Sequence, residues 1–388
     1  MSNNRYKSLV DYIRDIFKSN DFIPMHEPRF IGNEKKYVIE TIDSTFVSSV
    51  GAYVEEFEKN IAEFVGVKYA VATSSGTSAL HIALKLGGVS QGGEVITQAL
   101  TFVATCNAIN YCGAEPIFLD VDKDTMGLSP KSLEHFLEEQ CEMRDDGICW
   151  NKRSNKPVQA CLPMHTFGMP ARILEIEKIC NQYNINLIED AAESLGSYIE
   201  AKGSHTGTIG KLSAFSFNGN KIITTGGGGM IVTNDESIAK QAKHVTTTAK
   251  IPHRWEFNHD EIGYNYRLPN LNAALGVAQL ELLPNFLEKK RILANQYQEW
   301  GSQHGFNFVG EQQGVRANYW LNILLAENIK DRDAILSYTN DNAIMTRPIW
   351  TLMNKLSMFS ASYSDGLNNS YWLADRLINV PSSVILDT

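Results

Sequence analysis

YAVATSSGTSALHIALKLGGVSQGGEVITQALTFVATCNAINYCGAEPIFLDVD, residues 69–122, alternates short apolar runs with stretches of helical spacing. YAVAT, EVITQAL and EPIFLDVD have the length and apolar continuity of strands covered on both faces. SALHIALKLGG and FVATCNAINYCG, between them, space their apolar residues as helices do. Strands alternating with helices imply a parallel sheet with covered faces, hence an α/β domain. The alternation resumes in QACLPMH (159–165), ARILEIEKICNQYN (171–184), NINLIED, KLSAFSF, GGMIVTND and ESIAKQAKHV, and runs to about residue 245. Between the two halves, residues 138–157 (EEQCEMRDDGICWNKRSNKP) break the rhythm and predict an elongated surface excursion.

The whole chain of 388 residues is too long for one core, since single cores stop growing at roughly 250–300 residues, so two domains are expected. With 43 % apolar and 20 % charged residues it is neither collagenous nor largely disordered. Its net charge of −9 argues against holding nucleic acid or an anionic membrane by bulk charge, so an anionic ligand must be met by local donors. No apolar run reaches the roughly 18 residues of a membrane span. At the amino terminus Arg5, Lys7, Asp11, Arg14 and Asp15 interrupt the stretch where an export signal needs an apolar run. The stripe of Leu9, Val10, Ile13, Ile16 and Phe17 predicts an amphipathic helix there instead. The six cysteines show no CxxC pair and no zinc spacing, which suits reduced thiols in a cytoplasmic protein with no metal site.

The expected division is an amino-terminal helix and arm (1–30), a large domain (31–275) and a smaller carboxy-terminal α/β domain (276–388). The long periodic segment LNAALGVAQLELLPNFLEKKRILANQYQEW leads from one to the other, and Pro284 within it predicts a kink or break. In the last part NYWLNILLA and AIMTRPIW read as strands around the helical KDRDAILSYTND. Tyr319 and Trp320 then belong to an apolar strand and to the core.

Three stretches carry chemistry. SSGTSAL (74–80) follows a strand and opens a helix, where small residues admit a ligand and free amides suit a phosphate; an ordinary N-cap reads the same way. It is neither a GxxxxGK[ST] nor a GxGxxG loop. NLIEDAAES (186–194) places Glu189 and Asp190 at the carboxyl end of a strand, where open α/β sheets bind ligands, although Asp190 also suits a helix cap. KLSAFSFNGNKIITTGGGGMIVT sets Lys221 between a strand and a glycine run, crowded by Phe215, Phe217, Ile222 and Ile223, where desolvation favours an unprotonated amine. A phosphate cradle, an acid at a strand end and a lysine beyond a later strand are the parts of a pyridoxal 5′-phosphate site. The lysine forms the Schiff base and the acid keeps the pyridine nitrogen protonated. Phe102, at another strand end, is placed to stack on the ring.

With these residues, the chain resembles the sugar-nucleotide aminotransferases of the DegT/StrS type. The likeness runs from about residue 28 to the carboxy terminus through FVSSVGAYVEEFE, SSGTSAL, TFVAT, FLDVD, EDAAE, SFNGNK, TTGGGGM and GYNYRLPNLNAALG, in that order. It implies the fold type I of aspartate aminotransferase: a large domain with a mainly parallel seven-stranded sheet, and a smaller α/β domain. It also implies that Lys221 bonds the cofactor, that Asp190 pairs with the pyridine nitrogen, that Gly76, Thr77 and Ser216 bind the phosphate and that Phe102 stacks. Glu193 falls where the family places Gln, His or Glu near the cofactor's 3′-oxygen. Asn265 matches a residue that reaches the neighbouring subunit's phosphate, which implies a homodimer with shared sites. One departure is Gly227, where the family commonly has an acid (TTGEGG). The excursion at 138–157 is another, being longer than is usual.

The implied activity is transfer of an amino group from glutamate to a nucleotide-linked keto sugar, with pyridoxamine 5′-phosphate as the intermediate cofactor form. HEPRFIGNEKKYVIETIDSTFVSSVG with SFNGNK and TTGGGG is similar to the 4-aminotransferases of UDP-linked 4-keto-6-deoxy-N-acetylhexosamines, which feed bacterial surface-glycan sugars such as legionaminic acid and bacillosamine. The alternatives are a GDP-perosamine synthase-like 4-aminotransferase, a 3-aminotransferase of a dTDP-keto sugar and, in another class, a non-catalytic sensor or scaffold. His165, Arg267 and Arg347 are candidate substrate contacts, an imidazole near the ring and guanidiniums for the diphosphate or the donor carboxylate, while a hydrogen-bonded structural histidine and surface or structural arginines fit equally well.

Overall fold

The computed structural model describes residues 2–386. Seven strands form the main sheet: β1 (Tyr69–Thr73), β2 (Glu94–Gln98), β3 (Glu115–Leu119), β4 (Lys156–Leu162), β5 (Asn186–Asp190), β6 (Leu212–Ser216) and β7 (Gly229–Thr233). Their order is β1-β7-β6-β5-β4-β2-β3. The pairs β2–β3, β2–β4, β4–β5 and β5–β6 are parallel. Only β7 runs against its neighbours. The reason is its connection: residues 217–228 carry no helix, and without a crossover the chain returns antiparallel. Helices cover both faces, and Ile96, Leu119, Leu162, Ile188, Ala214 and Ile231 of the sheet are buried.

The excursion is a β-hairpin, Cys141–Met143 with Cys149–Asn151, that pairs onto the start of β4. Asn151 Nδ2 donates to Glu94 Oε2 at 2.9 Å and Lys156 pairs with Glu115 at 2.7 Å, both partners lying at strand starts. The hairpin therefore decorates the amino ends of the parallel strands, away from their carboxyl ends where α/β sheets bind ligands.

The helix Asn270–His304 runs unbroken for 35 residues past Pro284, and the division expected at 275/276 falls inside it. Leu280, Leu283 and Phe286 on either side of the proline belong to one core cluster, so tertiary packing outweighs the local cost of roughly 3 kcal/mol. Gly276 lets this helix approach the helix Ala52–Val65: a Cβ there would stand 2.8 Å from the Phe57 ring. Its later turns bury Leu293 and Tyr297 against Leu9, Val10 and Ile13 of the helix Ser2–Phe17, the apolar stripe expected there. Beyond it a four-stranded antiparallel sheet takes the order Asn307–Phe308, Asn322–Leu325, Leu377–Val380, Arg347–Pro348, with the helix Ile329–Asp341. Tyr319 and Trp320 precede the strand rather than lying in it, because Tyr319 adopts a left-handed turn (φ 48°).

Candidate active site

At the carboxyl ends of the parallel strands, Gly76, Thr77, Phe102, Asp190, Glu193, Ser216 and Lys221 line one cavity of about 330 Å³. Its floor is the start of the helix Gly76–Leu86. Ser75 is the N-cap, its Oγ accepting from the Ser78 amide at 3.0 Å, so the amides that open the helix at Gly76 and Thr77 have no partner within it. Glycine is needed at 76 because a Cβ would meet Ser216 Cβ at 2.7 Å, and at 229 because one would meet the Ser75 carbonyl at 2.3 Å. These contacts bring the Ser216 hydroxyl against the helix amides and make an anion cradle.

The segment EDAAES sets three buried carboxyls in three environments. Glu189 is fully buried and accepts from His165 Nε2 (2.9 Å) and from the amides of Gly207 (2.8 Å), Ile209 (2.7 Å) and Gly210 (2.7 Å). Burial alone would raise its pKa, but the His165 hydrogen bond and the backbone amides outweigh that and hold it below the ordinary value. Asp190, 2 % exposed, takes only the Thr105 hydroxyl (2.7 Å) and the Ala192 amide (3.1 Å). Burial raises it, and those two bonds offset the rise only in part. It keeps acceptor capacity toward the cavity, as a protonated ring nitrogen requires. Glu193 accepts from the Phe167 amide (2.8 Å) and from Lys221 Nζ (3.1 Å), and burial, opposed by the Lys221 charge, pushes it up to about 7.

Lys221 Nζ also stands 4.1 Å from the centroid of the Trp320 ring, whose Nε1 donates to the Asn220 carbonyl at 2.7 Å. The neighbours expected from the sequence, Phe215, Phe217, Ile222 and Ile223, are buried in the core. Phe102 is 46 % exposed, with its ring 5.9 Å from that of Trp350, which lines the same cavity. Trp320, Trp350 and Thr105 were not read as site residues. Thr105 alone had a signal, since it sits in the TFVAT stretch that singled out Phe102.

Four candidates lie outside the cavity. His165 is fully buried and takes the structural one of its two readings, not the substrate contact: its Nδ1 accepts from the Ala171 amide (3.1 Å), so its proton is on Nε2 and is donated to Glu189. Arg347 is exposed and bonds Asn340 Oδ1 (2.9 Å) and the Thr346 carbonyl (2.9 Å). Arg267 is exposed and donates to Asn265 Oδ1 at 3.0 Å. Asn265 is turned outward by its neighbours. Tyr264 and Tyr266 stack on each other (5.1 Å, 21°) and pack edge-on against His81 of the cradle helix, so the residue between them faces away from that helix.

The model of the DegT/DnrJ/EryC1/StrS aminotransferase family matches residues 28–388, and the chain belongs to that family. It is 38 % identical over 342 residues to GDP-perosamine synthase of Escherichia coli O157:H7, covering 88 % of each chain. To GDP-perosamine synthase of Vibrio cholerae it is 35 % identical over 365 residues, covering 93 % of this chain and 94 % of that one. The crystal structure of the aminotransferase TlmJ from Streptoalloteichus hindustanus superposes with a TM-score of 0.84 at 25 % identity, covering 94 % of this chain and 95 % of that one. The protein is thus a pyridoxal phosphate-dependent aminotransferase of fold type I. The cavity fits that cofactor: an anion cradle, a buried carboxyl with spare acceptor capacity and an amine open on one space. Among the described residues no helix is long and apolar enough to cross a membrane.

The Glu193 shift has a measurable consequence. A carboxyl near 4.5 in the unfolded chain and about 7 in the folded one lets the unfolded chain lose its proton first. Stability therefore falls as pH rises between those values, by roughly 3 kcal/mol in all, and is level above them. Thermal melts of the cofactor-free protein should show this fall, and Glu193→Gln should flatten it. An equal slope in both proteins would disprove the assignment.

Proposed function

We propose that the protein moves the amino group of L-glutamate to the 4-keto carbon of a GDP-linked 4-keto-6-deoxyhexose. What carries the reading is Lys221 Nζ, held by Glu193 at the cavity that Asp190 and the helix cradle share. The two relatives named for a GDP sugar favour guanosine over the UDP-linked N-acetylhexosamine reading and the dTDP-linked one. Family membership and an intact set of Asp190, Ser216 and Lys221 leave the scaffold reading without support.

In this reading the amides of Gly76 and Thr77 with Ser216 Oγ hold the phosphate, Asp190 holds a proton on the ring nitrogen, and Phe102 covers the ring face. Pyridoxal phosphate, when bound, supplies a carbon that bonds amines and a ring that takes up electrons left by a departing proton. Lys221 is the amine that holds it at rest. Its freed Nζ takes the Cα proton of the amino acid and returns one on the sugar side. Glu193, ionising near neutrality beside Nζ, steadies the amine while it is charged. Asn265 reaches the cavity of a second copy, whose contact would also cover Trp255, Phe257 and Ile262, exposed on the segment that precedes it.

Three outcomes test this. Lys221→Ala should keep the fold and bind pyridoxamine phosphate, yet lose turnover and the lysine-dependent band near roughly 410–430 nm; normal turnover would sink the mechanism. With wild type loaded by glutamate, kcat/KM for the GDP-linked keto sugar should exceed that for the UDP-linked N-acetyl sugar about tenfold or more, and the reverse order would restore the uridine reading. Asn265→Ala should release cofactor faster on dialysis, whereas a strictly monomeric active enzyme would contradict the shared site.

A further inference from the structure

Lys290 lies in the middle of the helix Asn270–His304, wholly buried, and has no ion pair among the described residues. Its Nζ donates to three main-chain carbonyls: Ser382 (2.6 Å), Trp320 (3.1 Å) and Tyr319 (3.4 Å). A buried amine without a carboxylate is costly, and burial pushes this one down to about 7. A methionine would fill the space with no such cost, so a role for the donors is indicated by what they hold.

They hold a turn that needs holding. Tyr319 sits at φ 48°, a conformation that bulky residues keep only when their surroundings impose it. Asn318 grips the turn from the other side: its Nδ2 donates to the carbonyls of Glu193 (2.8 Å) and Leu195 (2.9 Å), and its Oδ1 accepts from the Trp320 amide (2.8 Å). The product of the turn is the place of the Trp320 indole, 4.1 Å from Lys221 Nζ and hydrogen-bonded to the residue before it.

We propose that Lys290 is a positioning residue for the reactive amine: by gathering the carbonyls of Tyr319 and Trp320 it seats the indole against Lys221. The inference rests on the reading of Lys221 as the amine that bonds the cofactor. The test mixes cofactor-free protein with pyridoxal phosphate and follows the rate at which the band near roughly 410–430 nm grows, with thermal melts alongside. Lys290→Met should slow that growth about tenfold, as should Trp320→Phe, and the double variant should be slower than the worse single by no more than about twofold, because both act through one contact. A Lys290→Met that lowers only the melting temperature, or rate losses that multiply in the double variant, would make Lys290 merely structural and overturn the proposal. Should Lys290→Met not fold, Lys290→Gln, which keeps donors for two carbonyls, carries the comparison; if neither folds, Lys290 is a folding residue and the proposal falls. A wild type that forms no band at all would instead overturn the reading of Lys221.

Discussion

Three carboxyls within five residues, all nearly withdrawn from water, are the constraint around which the rest of the site is arranged. Removing a charge from water costs several kcal/mol unless donors replace the water, so each carboxyl dictates its own surroundings. Glu189 is met by an imidazole and three backbone amides, which ties the loop 207–210 and His165 to the end of β5. Asp190, on the opposite side of the strand, receives two donors and keeps room for a third. Glu193, past the strand end, is balanced by Lys221 from the β6–β7 connection. One short segment thus commits a satisfied anchor, an acceptor facing the cavity and a partner for the amine.

The anchor explains how His165 serves the site without lining the cavity. Its Nδ1 is occupied by the Ala171 amide, which fixes the proton on Nε2 and aims it at Glu189. The end of β5 is thereby tied to the loop 207–210 and to His165, and Asp190 is the next residue along it. On the other side the cradle depends on close approach rather than charge: Gly76 and Gly229 let β6, β7 and the helix start meet with no side chain between them.

The parts legible in the sequence were those that depend on local periodicity or on several motifs recurring in order. Strand and helix alternation in 69–122 sufficed for the sheet, and the residues of SSGTSAL, EDAAES and SFNGNK do converge on one cavity. What escaped depends on contacts between distant segments. Trp320 is in the core, as expected beside an apolar strand, but only the left-handed turn at Tyr319 also brings its ring to Lys221. Pro284 looked like a break because local rules count the lost hydrogen bond and not the core packed on both sides of it. His165, at the end of QACLPMH, reads as a structural histidine as well as a ligand contact, but its partner Glu189 lies 24 residues away and no local pattern names it. Lys290 in EKKRILANQYQEW is indistinguishable by pattern from the exposed lysines of any amphipathic helix.

The glycine run shows how the two kinds of information combine. Gly226 has φ 78° and a Cβ at Gly229 would meet the Ser75 carbonyl, so the backbone itself demands these two, while a Cβ at Gly228 would meet the Thr225 side chain, with Oγ1 at 2.3 Å. Gly227 has no such demand: its φ lies outside the left-handed range and nothing stands within 4 Å of where its Cβ would be. Its carbonyl is already held by Thr225 Oγ1 at 2.8 Å and Asn272 Nδ2 at 3.3 Å, so a side chain would leave the loop in place. The absent acid is therefore a property of the cavity and not of the fold. Beside a cradle made to receive anions, a wall without a carboxylate keeps both volume and a potential favourable to negative charge.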